Sequence, residues 1–340
     1  MKTTNILFTC AGRRNYLINY FKEALNGRGK IIAVDNQTNA PALIDADIAL
    51  QVSSIYSDTY IDELKDICSQ YKVSAIISLN DLELPILSKN KSEIEKCGAK
   101  VIVSNEKAIN ISFDKWKTFQ FLKENNLLTP ATYIDIDLAL KDLKSNTLQF
   151  PLILKPRWGS ASIGIEIVEN EEELEYAYRL LKIKLTRSIL NKASEEDVNS
   201  AILIQEMIKG TEYGMDVVNN LSGEYFGTFA REKLSMRSGE TDKAKSVISP
   251  ALNEIGEKIA KNLNHYGNLD CDVFVNGDKN YVLELNPRFG GGYPFSHEAG
   301  INTAAIYIEW ILGNTDVNHF NKYKADISFA KCDKLIKIPN

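Results

Sequence analysis

The sequence predicts an α/β unit at the N-terminal end followed by a mixed α+β region, and three observations carry that prediction. Short β-branched runs at residues 5–9, 31–34, 75–78 and 101–103 alternate with amphipathic stretches, the pattern of a parallel sheet wrapped by helices. Strand-like segments dominate again from residue 201 onward, with a hairpin over 270–285 and a closing helix over 303–312. A chain of 340 residues exceeds what one ordinary core fills and implies two or three packed units.

Composition bounds the function classes. The apolar fraction of 44% and charged fraction of 25% are those of ordinary globular domains, so a packed interior is expected. No run of about 18 apolar residues is present to span a bilayer. The N-terminus Met-Lys-Thr-Thr-Asn-Ile-Leu-Phe-Thr-Cys10 reads as a first strand, shorter in its apolar part than a secretory leader, which places the protein in the cytoplasm. Cys10, Cys68, Cys97, Cys271 and Cys332 lack paired spacing and support neither a disulfide framework nor a zinc site. The net charge of −5 is spread without a basic block, which argues against nucleic acid as the partner.

The first unit reads as Rossmann-like. Its first turn, Thr9-Cys10-Ala11-Gly12-Arg13-Arg14, carries a strand into a helix, where free N–H groups favour an anion. Asp35 ends the second strand as a ribose-binding acid would, yet only Gly12 of the three-glycine dinucleotide fingerprint is present. A helix is predicted over 112–126, with Phe113, Trp116, Phe119 and Leu122 as its core stripe. A strand near 132–134, a helix near 138–144 and a strand over 151–155 follow. The charged stretch 171–199 is helix-rich, residues 192–200 read as an exposed connector suited to a hinge, and 252–264 as a further helix.

The hairpin of residues 271–286 is the most informative segment. With its turn centred on Asp278, Asp272 lies opposite Glu284, and Cβ atoms so placed are roughly 5 Å apart. Two carboxylates at that distance repel unless a cation sits between them. Asn286, two residues beyond Glu284, projects from the same face and adds a neutral oxygen ligand of the kind magnesium accepts. Asp272, Glu284 and Asn286 are the candidate metal site; the alternative is a solvated polar hairpin face. Arg288 and Gly290-Gly291-Gly292 follow directly, a fixed cation beside backbone that a substrate can approach closely.

Two more segments suit a nucleotide. Residues 153–164 deliver Lys155 from a strand into the loop Gly159-Ser160-Ala161-Ser162, whose N–H groups could wrap phosphate oxygens; a plain hairpin turn fits that loop equally. No Walker ending is present. In residues 202–214 an apolar strand ends in Glu206, the apolar pair Met207 and Ile208, and a turn to Glu212, the mixture adenine and ribose require; either acid could also be a surface residue.

Read in order, Lys115, Leu154-Lys155-Pro156 with its Gly-Ser loop, Gln205-Glu206 with Glu212, and Glu284-Leu285-Asn286-Pro287-Arg288 resemble the ATP-grasp superfamily. Over roughly residues 1–315 the chain is similar to one half-unit of the carbamoyl phosphate synthase large subunit. That resemblance implies a Rossmann-like pre-ATP-grasp domain over 1–110 and a two-lobed ATP-grasp domain, its small lobe with the phosphate loop over 111–200 and its large lobe with the metal site over 201–340. It also implies ATP and Mg2+, with Mn2+ as the alternative metal. Lys115, Lys155, Ser160 and Ser162 would contact the phosphates, Glu206, Met207 and Ile208 the adenine, and Glu212 the ribose. Asp272, Glu284 and Asn286 would hold the metal, and Arg288 the transferred phosphate. The synthase half-units resemble one another in carrying glutamine where this chain has Asp272, the form of other ATP-grasp ligases. This departure and the single ATP-grasp unit point away from carbamoyl phosphate.

The charged stretch 231–243 corresponds to a loop that faces substrate in similar ligases, and Arg237 is the expected carboxylate or acyl-phosphate contact. His297 and the Arg13/Arg14 turn are candidates to line the acceptor pocket, as are Asp35, Asn80, Asp81 and Glu83, all equally explained by local pairing. The expected reaction is ATP-dependent joining of a small-molecule carboxylate to an amine, with an amino-acid (dipeptide) ligase as runner-up and a homodimer admitted. The rivals are an NAD-dependent oxidoreductase and a non-catalytic nucleotide-binding module.

Overall fold

A computed structural model describes residues 3–159 and 163–338; Ser160 and Ser162 of the predicted phosphate loop lie outside the described residues. The N-terminal unit comprises β1 (Asn5–Thr9), α1 (Asn15–Leu25), β2 (Ile31–Asp35), α2 (Ala42–Asp45), β3 (Ile48–Gln51), α3 (Tyr60–Gln70), β4 (Val73–Ser78), α4 (Leu84–Ile94) and β5 (Lys100–Val101). Its strands pair in parallel in the order β3-β2-β1-β4-β5. This is the order expected of a Rossmann-like sheet, with ligands drawn to the carboxyl ends of its strands. Ile31 to Val34 are fully buried because helices cover both sheet faces.

The predicted helix over 112–126 is two helices, α5 (Glu106–Phe113) and α6 (Lys115–Glu124). Asp114 between them is extended, and its carboxylate caps α6 by accepting from the N–H groups of Trp116 and Lys117. That break re-aims the apolar stripe: Phe113, Trp116 and Phe119 are half-buried, with Trp116 stacked on Phe119 at 5.2 Å. Of the predicted stripe Leu122 enters the core, and with Phe121 it joins Met215, Leu269 and Leu285. Residues of α6 therefore pack with the C-terminal sheet.

A second, antiparallel sheet of order β6-β9-β7-β8 contains β6 (Thr132–Tyr133), β7 (Leu152–Pro156), β8 (Glu166–Val168) and β9 (Ile202–Glu206). It is covered by α7 (Ile136–Lys144) and α8 (Glu171–Thr186), whose Ala139, Leu174 and Leu181 share its core. The predicted exposed connector is a helical turn, α9 (Asn191–Ser194), and a 3-10 segment, Glu195–Ser200. Ser194 in it is buried and Asp197 is paired with Arg157, so the stretch is docked on its lobe.

The third sheet is antiparallel, of order β14-β13-β10-β11-β12-β15. It consists of β10 (Thr211–Asn219), β11 (Tyr225–Arg237), β12 (Glu240–Val247), β13 (Gly267–Asn276), β14 (Lys279–Asn286) and β15 (Ser328–Ala330), with α10 (Pro250–Leu263) beneath. After β14, α11 (Tyr293–Glu298) and α12 (Thr303–Leu312) return to the first unit, where Phe289, Tyr293 and Tyr307 pack with Phe8 and Phe21. No helix among the described residues is long and apolar enough to cross a membrane.

Candidate active site

The site is built on the β13–β14 hairpin. Asn276 pairs with Lys279 across a two-residue turn, and Val273 pairs with Val282. There the register shifts by one residue, so that Asp272 faces Glu284 and Asp270 faces Asn286. Leu283 is the extra residue, a β-bulge. The sequence count reached the same Asp272–Glu284 pair from a turn centred on Asp278. The actual turn is centred half a residue earlier, and the bulge makes up the difference. Without it Asp272 would face a leucine.

Asp270 shares the face of Asp272, two residues away, and was missed in the sequence although period-two alternation was available to find it. Two cations of β11, Arg231 and Lys233, show the same alternation. Arg231 is fully buried and donates to Asp216 at 2.6 Å and Asp270 at 2.9 Å. Lys233 bridges Glu212 and Asp272, each at 2.7 Å. Burial, opposed by Lys233 and reinforced by Asp270 and Glu284, pushes the Asp272 carboxyl up to about 7. Crowded acids of this kind are relieved by a cation.

Arg288 extends the network, donating to Asp81 at 2.7 Å and to Asp270 at 3.4 Å. The three glycines behind it have a packing role besides the one the sequence suggested, and Gly291 and Gly292 line a cleft. A Cβ at Gly290 would stand 2.2 Å from the Asp270 carboxyl carbon, and one at Gly292 would stand 2.2 Å from Arg231 Nη2. At Gly291 it would meet Arg14 and Glu240 at 3.0 and 3.1 Å. Their missing side chains make room for the protein's own charged groups.

On the facing side, Lys155 lies buried in β7 and donates to Gln205 at 2.8 Å. Burial, and then the neighbouring Lys115 charge, pull its ammonium down to about 8, with Glu284 and Asp272 opposing. Lys115 opens α6 and donates to the carbonyl of Gly159, which brings it to the start of the predicted phosphate loop. Arg157 locks this arrangement with a two-fold contact to Asp114 at 2.8 and 2.7 Å. Glu206 ends β9 and accepts from the Ala131 N–H at 3.2 Å; Met207 and Ile208 are half-buried in the crossing to β10.

Between these parts lies a cleft of about 280 Å³. Asp272, Glu284, Asn286, Arg288 and Lys233 line it from the third sheet, Gly159, Ile163 and Leu190 from the second, and Arg14, Asn80 and Asp81 from the first. Other candidates lie elsewhere. Arg237 is half-exposed at the β11–β12 tip, paired with Asp242 at 3.0 Å and Asp333 at 2.8 Å; Arg231 and Lys233 of the same strand face the cleft instead. His297 stacks on Tyr20 at 3.6 Å and bonds Tyr293 at 3.0 Å, which makes it a packing residue. Arg13 is exposed. Glu83 is fully buried and accepts from Thr9 at 2.7 Å and from Ser78 and Tyr60 at 2.5 Å. Asp35 closes the first turn, accepting from the N–H groups of Gly12 and Gln37 at 2.9 Å.

No group of three or more His, Cys, Asp or Glu side chains among the described residues is arranged to hold a metal ion. The donor set is instead two facing carboxylates and the Asn286 amide, whose Nδ2 donates to Glu284 at 3.2 Å. Two acids and one neutral oxygen fit magnesium, which takes its remaining ligands from water and phosphate.

Residues 112–292 match the model of the ATP-grasp domain, and residues 6–102 that of the PylC-like N-terminal domain. The chain is 26% identical over 264 residues to a formate-dependent phosphoribosylglycinamide formyltransferase of Prochlorococcus marinus, an alignment covering 76% of this chain and 64% of that protein. It is 23% identical over 274 residues to a carbamoyl phosphate synthase large chain of Helicobacter pylori, covering 78% of this chain but 24% of the other. The chain thus spans under two thirds of the first relative and about a quarter of the second. In fold it is similar to an L-amino acid ligase from Bacillus licheniformis, with a TM-score of 0.72 at 18% identity, covering 96% of this chain and 80% of that one.

Proposed function

The chain belongs to the ATP-grasp family, and from that premise we propose that it is an ATP-dependent ligase joining a small-molecule carboxylate to an amine, with release of ADP and phosphate. The observation that carries this reading is the Asp272–Glu284 pair with Asn286, set in one cleft with Arg288 and within electrostatic reach of Lys155, while Lys115 lines an adjoining chamber with Glu284 and Asn286. Asp272, Glu284 and Asn286 would hold a divalent cation, Mg2+ or Mn2+, which screens phosphate charge and polarises the transferred phosphoryl group.

The remaining work belongs to the chain's own residues. Lys115 and Lys155 neutralise phosphate oxygens, Glu212 holds the ribose, and Glu206, Met207 and Ile208 border the base. A substrate carboxylate oxygen attacks the γ-phosphorus, the bond to the bridging oxygen breaks, and ADP leaves. The amine nitrogen then attacks the acyl carbon, phosphate departs, and the amine proton passes to phosphate or solvent. Arg288 stabilises the charge that develops on the transferred group. The cytoplasm is the proposed compartment, on the unpaired spacing of the cysteines.

One observation favours amino acids as substrates. The cleft lining carries charge of both signs, Arg14 with Glu240 and Arg288 with Asp81, which suits a molecule bearing both ammonium and carboxylate. The test is ADP release by the purified chain with ATP and Mg2+ across mixtures of carboxylates and amines. Loss of stimulated release in both Glu284→Ala and Arg288→Ala is expected; full activity in both would sink the reading.

A further inference from the structure

Next to the Asp272–Glu284 pair, between α5 and the end of β14, lies a second chamber of about 10 Å³. That is room for about one water molecule. Its polar lining includes Ser112, Lys115, Glu284 and Asn286, closed by apolar groups such as Ile109 and Pro287. Ser112 is 6% exposed, and its Oγ has no hydrogen-bond partner among the described residues. A hydroxyl in the last turn of a helix ordinarily bonds back to the carbonyl four residues earlier, here Ala108. This one does not.

A buried hydroxyl left without a partner is costly, and native structures satisfy such groups with protein or with ordered water. Glu284 needs partners too, since Oε1 accepts from Asn286 Nδ2 at 3.2 Å while a carboxylate has about four acceptor sites. A water takes 2–4 polar partners, and this chamber offers that number.

We propose that the chamber is a built water site, with one molecule bridging Ser112 Oγ to the Glu284 carboxylate. Ser112 is then a positioning residue: through the water it fixes the carboxylate that faces Asp272 and keeps an oxygen turned to the cleft. The water site stands on the chamber and the hydroxyl alone. Its effect on cation binding rests on the ligase reading of Glu284.

The experiment has two arms. A high-resolution crystal structure of the whole chain should show one density peak within hydrogen-bond distance of Ser112 Oγ and Glu284. An empty chamber with Ser112 bonded to the Ala108 carbonyl would overturn the proposal, as would an anomalous peak after rubidium soaking, which would mark a cation. Calorimetric titration of Mg2+ with ADP into wild type and Ser112→Ala should show affinity weakened by roughly tenfold in the variant, the scale of a lost outer-shell contact. Unchanged affinity, at unchanged melting temperature, would overturn the positioning role. If wild type itself binds no Mg2+ with ADP, the ligase reading fails while the density still decides the water site.

Discussion

Arg288 donates to Asp81 at 2.7 Å, an ion pair in which both side chains are less than 10% exposed and which joins the end of the β13–β14 hairpin to the N-terminal unit. The first domain therefore contributes directly to the cleft through a residue 207 positions away in sequence. Replacing Asp81 leaves Arg288 tied to Asp270 at 3.4 Å and to the Phe289 carbonyl at 3.2 Å. Asp81→Ala is expected to lower kcat/KM for the carboxylate roughly tenfold, the effect of one lost hydrogen bond to a charged group. Asp81→Asn should lose less, and KM for ATP should stay within about a factor of two. Steady-state kinetics with each substrate varied in turn checks this.

The Gly292 position tests the close packing around Arg231. A Cβ there would stand 2.2 Å from Nη2 of a guanidinium wedged between Asp216 and Asp270. Gly292→Ala is expected to destabilise the fold by about 1–3 kcal/mol through overpacking. Arg231→Met should cost roughly 3–5 kcal/mol, because it leaves the buried Asp216 without its cation. Denaturant unfolding of both variants measures the two effects.

Lys155 gives the proposed nucleotide site a pH dependence. Its ammonium is held down to about 8 by burial and then by Lys115, so the free protein loses that proton as pH rises through 8. Phosphate binding needs the charged form. ATP affinity should therefore be full below pH 7 and weaken above pH 8, and Lys155→Arg, which stays charged, should flatten the profile. Equal profiles in the two proteins would refute the assignment.

His265 acts in the opposite range. It is fully buried, and burial pulls its imidazole down from 6.5 to about 4, so the folded protein holds it neutral. Between those values the unfolded chain binds the extra proton, and stability falls as pH drops through that window. The full difference is roughly 3 kcal/mol at 1.36 kcal/mol per pH unit. Melting temperatures from pH 7 down to pH 4 should show the loss.

Much of this architecture was legible because it depends on local rules. The period-two and helical patterns located β1, β2 and α12 to within a residue and the β13–β14 hairpin to within three, and the Asp272–Glu284 pair followed from counting across one turn. The Glu284-Leu285-Asn286-Pro287-Arg288 run was the most specific of the four segments that carried the family resemblance. Other features needed the assembled fold. The cap at Asp114 splits one predicted helix into two, and the Leu283 bulge sets the register, because each depends on what the backbone meets in space. Arg237 and Arg231 lie on one strand, six residues apart. Sequence chose the first; packing put the second against Asp216 and Asp270 and left the first at an exposed tip. Charged residues carry no local signal of their partner, since ion pairs such as Asp81 with Arg288 form only when sheets from separate units close on one cleft.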